Sequence, residues 1–308
     1  MRTQRVLSAS ILALTLCSVA PRAAAQESLQ TALHAKLEND LARVAQQLQG
    51  VLGYAIKDLS TGETFFLHPD TVFPQASSIK LTVLLELLRQ DQEGKLSLEE
   101  KHTILRSEMT KGDDEPIITM LGDGTVTMTL RDLATFMVVL SDNSATNILI
   151  DRVSMENINA GIARLGLKET KLRRRMIDLE AARRGNENVS TPREMMALLE
   201  KVHAGQALDA AHTAEYFRIL RLPKESEFHK ALPDIGPIAD KPGALEAVRC
   251  DTGLIEIQGH SLVLSVNTTY LAHDDEGERA IEEVARLAYA YFSCRSSSSP
   301  YGRVISNK

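Results

Sequence analysis

Ser77 and Lys80 stand three residues apart where an extended segment ends at Phe73-Pro74 and a long apolar run begins, a spacing that puts both on one face of a helix. A helix start brings free backbone N–H groups and positive potential, which suit a developing oxyanion. A lysine buried there has its charged form disfavoured and becomes a competent acceptor for a serine proton. Taken alone, Ser77-Ser78-Ile79-Lys80 equally fits an N-cap serine beside a solvated lysine. Two more triplets add to it. Ser141-Asp142-Asn143 falls at the join of two helical patterns. Its residue types suit a capping turn, and equally a hydroxyl that relays a proton to a leaving nitrogen beside an amide that holds Lys80 and a substrate carbonyl. Lys241-Pro242-Gly243 precedes strand-like sequence and offers a cation to an opposite wall, near Ser141 and a substrate carboxylate. Together these residues describe acyl transfer through a serine.

The elements that must position them are legible in outline. Leu29, Leu33, Leu37, Leu41, Val44 and Leu48 recur at three- and four-residue steps, which predicts an amphipathic helix from Ser28 to Leu48. Val51 to Leu59 and Glu63 to Leu67 read as strands of a hairpin. The segment from Ser77 is apolar on nearly every side, as in a helix buried inside a domain. Helical periodicity continues through 130–140, 145–153 and 192–203, with Thr191-Pro192 giving a cap and a first-turn proline. Beyond Pro237 strands return at 253–257 and 261–267, followed by a helix over 276–292. Strands at both ends with helices between them predict an α+β fold, one sheet assembled from both termini with a helical lobe inserted. The expected division is an α/β lobe of residues 26–72 plus 237–294, a helical lobe of 73–236 and a flexible serine-rich tail of 295–308.

Composition narrows the setting. Residues 1–25 have a short basic start, an apolar run and an Ala23-Ala24-Ala25 end, the pattern of a cleaved secretory signal, so a periplasmic or secreted location is expected. Leu16 before Cys17 is bulky where a lipid-anchor signal wants a small residue. Removing the segment takes three arginines and no acid, leaving 32 bases against 41 acids and a net charge of −9. Such a chain, without a basic stripe, is a poor nucleic-acid binder. No later stretch reaches the roughly 18 apolar residues of a membrane span. No metal motif is present, and the two remaining cysteines, Cys250 and Cys294, are expected as free thiols. A monomer without a cofactor is expected.

In their order and separation the three motifs resemble those of the class A β-lactamases and penicillin-binding proteins, and the resemblance extends over roughly residues 27–293. It implies a β-lactamase/transpeptidase-like α/β sandwich. It further implies Ser77 as the acylated nucleophile, Lys80 and Ser141 as proton carriers, an oxyanion hole from the N–H groups of Ser77 and Ala244, and substrate contacts from Asn143, Lys241, Gly243 and Ala244. Pro242 departs from the family in replacing a hydroxyl residue that would bind a substrate carboxylate. A second departure lies in the Ω-type loop of residues 170–192, where aligning Arg174 with the family's anchoring arginine puts Met176 at the water-activating glutamate and Glu180 at the neighbouring asparagine. Glu180 is therefore the candidate substitute base, or else a partner of Arg174 or Arg183. The implied substrate is a β-lactam or a peptidoglycan-like peptide. Hydrolysis of β-lactams, D,D-peptidase or other amidase or esterase activity, and a sensor that acylates without turnover all stay open.

Overall fold

Apolar residues alternating along three strands decide how the sheet is covered. In the computed structural model, which describes residues 20–110, 125–299 and 301–304 with side chains from residue 29 onward, β1 (Val51–Asp58) turns Leu52, Tyr54 and Ile56 to one face and Ala55 to the other. The last two sheet strands follow the same period of two, with Ile255 and Ile257 of one and Leu262, Leu264 and Val266 of the other on the first face, and Leu254 and Val263 on the second. The sheet is antiparallel throughout and five-stranded. Its order is β2 (Thr64–Leu67), β1, β9 (His260–Thr269), β8 (Val248–Ile257) and β7 (Ala239–Leu245). The N-terminal hairpin and the C-terminal strands thus meet at the β1–β9 pairing, in register from Val51 opposite Thr269 to Asp58 opposite Leu262.

Helices α1 (Ala20–Gln47) and α10 (Asp274–Ser297) cover the first face. In α1, Leu37 and Leu41 are buried, Leu33 and Val44 pack beside them with Leu48 just past the helix end, and Leu29 is exposed. The helical lobe covers the second face. It comprises α2 (Lys80–Gln92), α3 (Leu130–Val139), α4 (Asn143–Val153), α5 (Met155–Arg164), α6 (Leu179–Arg183), α7 (Pro192–His203), α8 (Ala210–Leu220) and the short α9 (Glu227–Ala231) that leads back to β7. Two small ribbons brace it, β3 (Phe73–Pro74) with β6 (Val189–Ser190) and β4 (Lys101–Ile104) with β5 (Val126–Thr129). Ten of the thirteen residues of α2 are buried, Lys80 among them, so this helix runs through the lobe's centre as its sequence foretells. The architecture is the α+β sandwich expected from the sequence.

Arg295, where the serine-rich tail begins, pairs with Glu63, whose other oxygen accepts from Tyr291 Oη at 2.6 Å, and Ser298 bridges Val304. This tie joins α10 to the β1–β2 turn, a long-range contact that serine-rich composition hides. Helices α8 and α9, for their part, were not foreseen. Their buried faces rest on only a few residues, such as Tyr216, Phe217 and Phe228. The expected secretory segment lies outside the described residues except for the backbone of 20–25, and among the described residues no helix is long and apolar enough to cross a membrane.

Cys250 is buried and Cys294 is exposed, and both are free. Burial pushes the Cys250 thiol up to about 12, leaving it inert toward thiolate chemistry. A chain beginning at residue 26 should therefore show one rapidly titrating thiol when native and two when denatured, with no increase on reduction; finding none in the unreduced denatured chain would contradict this.

Candidate active site

Ser77 is placed by a short, heavily anchored turn. Gln75 is fully buried, donates its N–H to Asn188 C=O at 2.9 Å and its side-chain amide to Asn267 Oδ1 at 3.0 Å. Ala76 then takes a left-handed conformation, φ 44°, and a 3-10 turn over Ala76–Ile79 runs into α2. The turn leaves Ser77 half-buried and facing a cleft, while Ser78 points inward and donates to Lys241 C=O at 3.1 Å. The sequence expected the helix to start at Ser77; the α-helix proper starts at Lys80, one 3-10 turn later.

Lys80 has no exposed surface, so its ammonium has to be met by acceptors. Three are present: Ser141 C=O at 2.6 Å, Ser141 Oγ at 3.1 Å and Asn143 Oδ1 at 2.9 Å. Ser141 occupies the turn between α3 and α4 at φ 55°, a left-handed conformation uncommon for serine that costs roughly 1–3 kcal/mol. The Lys80 bond to its carbonyl and the α4 N-cap by Asp142, whose Oδ1 accepts from Ala145 N–H at 2.7 Å, hold it there. Lys241, also buried, donates to Ser141 Oγ at 3.1 Å and to Pro242 C=O at 3.0 Å. A hydroxyl has two lone pairs and one proton. With both lysines donating to Ser141 Oγ, that proton is what remains to be given away.

Burial lowers Lys241 to about 8, against the pull of the Asp240 and Asp251 carboxylates. Those two acids respond oppositely. Burial, reinforced by Asp240 and Glu227, keeps Asp251 well above the usual carboxylate range. Asp240 is also fully buried, yet hydrogen bonding from His229 and the charge of Lys224, 2.9 Å away, hold it low. Asp240 is therefore the ionised member of the pair.

Strand β7 forms the opposite wall. It is the sheet edge, so one of its hydrogen-bonding sides serves no strand and Pro242 is tolerated. Gly243 has no room for a side chain: a Cβ there would lie 2.8 Å from Ser77 N, Gln75 O and Cys250 Sγ. This contact brings the Ser77 N–H beside the strand, one residue from Ala244. The cleft between the walls has a volume of about 400 Å³ and is lined by Ser77, Leu140, Ser141, Asn143, Glu225, Glu227, Lys230 and the segment Lys241 to Ala244. Among the described residues no group of three His, Cys, Asp or Glu side chains is placed to hold a metal ion.

The structure thus brings together seven of the eight residues singled out from the sequence: Ser77, Lys80, Ser141, Asn143, Lys241, Gly243 and Ala244. Glu180 is the exception. It lies on α6 with its side chain 79% exposed and paired with Arg184, not with Arg174 or Arg183. Asp178 is likewise engaged, accepting the Ala181 N–H at 2.9 Å as the α6 N-cap. Once Asp178 caps that short helix, position 180 falls on its solvent side, which corrects the expectation that Glu180 joins the catalytic cluster. The loop itself is closed at its neck by Arg174 with Glu187 at 2.6 Å and by Thr170 with Ser190 at 2.6 Å. Met176 is buried in the helical-lobe core, with its backbone clamped by Asn147, which accepts its N–H at 2.8 Å and donates to its C=O at 3.1 Å. Asn147 lies one turn beyond Asn143 on α4, so the clamp ties Met176, which carries no carboxylate, to the helix that holds Asn143. That role of Asn147 was missed, although its spacing from Asn143 held the signal. Glu225, Glu227 and Lys230 gave no local signal.

Residues 36–292 match the model of the beta-lactamase enzyme family. The chain is 28% identical over 256 residues to beta-lactamase SME-1 of Serratia marcescens, covering 80% of this chain and 85% of that protein. It is 26% identical over 298 residues to beta-lactamase ROB-1 of Haemophilus influenzae, covering 91% and 94%. Among solved structures, a mutant of PBP-A in an acyl-enzyme complex with penicillin G superposes with a TM-score of 0.74 at 24% identity, covering 85% of this chain and 96% of that one.

Gly243→Ala should destabilise the protein by about 1–3 kcal/mol, because backbone and a buried sulfur would have to move. Thermal unfolding measures this, and an unchanged midpoint would show that β7 does not pack on the Ser77 turn as described.

Proposed function

Because the chain belongs to the beta-lactamase enzyme family, in the class A β-lactamase and penicillin-binding-protein superfamily, we propose that it is a serine hydrolase acylated at Ser77 by β-lactams and slow to release the acyl group. The observation that carries this is the Ser141 hydroxyl, 3.1 Å from both Lys80 and Lys241 in the cleft that Ser77 lines. In the proposed acylation, the Lys80 ammonium first sheds one proton to solvent; Ser77 Oγ then attacks the ring carbonyl carbon and passes its proton to the resulting amine. The N–H groups of Ser77 and Ala244 face the oxyanion. As the C–N bond breaks, Ser141 gives its proton to the departing nitrogen and is resupplied along the lysine chain. Lys241 supplies positive charge to the substrate carboxylate, unaided at Pro242, which has no hydroxyl to offer.

Release is the weak step. Hydrolysis needs a base for the incoming water, and the thioether of Met176 cannot accept its proton. Glu180 and Asp178 are both turned to other partners. Intact acylation residues, with no deacylating carboxylate identified among the described residues, favour, as a second reading, a peptidase or a sensor that holds its acyl group. A location outside the cytoplasm, after loss of residues 1–25, suits each of these substrates.

Exposed to benzylpenicillin, the native chain should gain the mass of one antibiotic and Ser77→Ala none. Rapid product without an adduct would mark an efficient lactamase, and neither adduct nor product would point to a different substrate. The acylation rate should also fall as pH rises through about 8, because Lys241 is charged below that value and neutral above it. Lys241→Arg should move that limb to higher pH; a limb that stays in place would assign it to another group.

A further inference from the structure

Two acids at the Lys241 end of the cleft have no part in the acylation chemistry. Glu225 and Glu227 line the cleft together with Ser77 and Lys241. Glu225 is exposed, whereas Glu227 is only 8% exposed. They flank Ser226, whose hydroxyl meets His229 Nδ1 at 2.7 Å, and that ring stands 3.5 Å from Asp240, the residue before Lys241. This contact fixes the segment at the Lys241 end.

Among the described residues neither acid has an ion pair. Lys224 is buried against Asp240 at 2.9 Å, and the Lys230 ammonium lies 4.0 Å from Glu278. A carboxylate nine-tenths buried in a cleft without a paired cation is costly unless something arrives to neutralise it. Burial, with repulsion from Glu278 and Asp240, raises the Glu227 pKa despite its own backbone N–H and the field of Lys230. A cation bound from the cleft would remove that penalty.

We propose that the Lys241 end of the cleft accepts a cationic group on the leaving-group half of the substrate, held by Glu225 and Glu227 while Lys241 meets the substrate carboxylate. The preferred acyl donors are then zwitterions with a carboxylate and a cation on that half. The inference rests on the Ser77 acylation set out above for its chemistry, but its binding component can be measured without it.

The test compares cephaloridine, which carries a C3′ pyridinium, with cephalothin, which has the same thienylacetyl side chain and a neutral C3′ acetoxy group. Adduct formation on the native chain, followed by intact mass at low salt, should be at least about fivefold faster with cephaloridine, and added salt should shrink the ratio. Glu225→Gln and Glu227→Gln should each lower the ratio, and together bring it near one. The Ser77→Ala protein, read by calorimetry, should bind cephaloridine more tightly than cephalothin, with the same dependence on the two acids. Acylation by both compounds at equal rates would overturn the cation site and leave the acylation proposal standing. No acylation by either, with the binding preference retained in Ser77→Ala, would do the reverse. Equal binding of the two by Ser77→Ala, or a preference untouched in the double variant, would also overturn it.

Discussion

A lysine ammonium with no access to water organises this molecule's centre. Lys80 opens a helix whose leucines fill the helical lobe, so the charge is carried inward with the apolar run that follows it. Leaving such a charge unmatched would cost several kcal/mol. Three oxygens therefore converge on it, two from Ser141 and one from Asn143, and two of the three come from a residue in a left-handed turn that few non-glycine residues adopt. The turn is in turn fixed by α3 before it and by the Asp142 cap of α4 after it. Lys241 then reaches the same hydroxyl from the sheet edge, so one oxygen joins the two lobes.

The sheet side of that junction depends on close approach. Gly243 lets β7 lie against the Ser77 turn, and buried Gln75 ties the same turn to Asn267 on β9 and to the neck of the loop at Asn188. Ser77, Lys80, Ser141 and the loop are thus positioned by one continuous set of contacts, and those of the Ser77 turn join residues more than a hundred positions apart.

That distribution explains what the sequence could reveal. The fold was legible because period-two alternation in β1 and the all-round apolarity of α2 are local signals, and six of the seven residues gathered at the cleft were legible because they sit in three short motifs, with Ala244 next to the last. Glu180 misled because an alignment register says nothing about side-chain direction: the Asp178 cap and Arg184 set that direction, and both act within a short helix that periodicity could not resolve. Glu225 and Glu227 reach the cleft through the packing of a five-residue helix against Asp240, a long-range event without a local pattern. The pairing of Arg295 with Glu63 across the fold is likewise without a local pattern.

The central claim is that acylation is complete in this architecture and release is not, because the position beside Asn147 holds a thioether where a base is needed. A general base is worth about 10²–10⁴-fold in such a step. The lifetime of the penicillin adduct in Met176→Glu, set beside that of the native chain and of Glu180→Gln, measures this directly. The account predicts a lifetime shortened by at least about tenfold in Met176→Glu and unchanged in Glu180→Gln. An adduct that persists equally in native and Met176→Glu protein, or that is trapped only when Glu180 is changed, would contradict it.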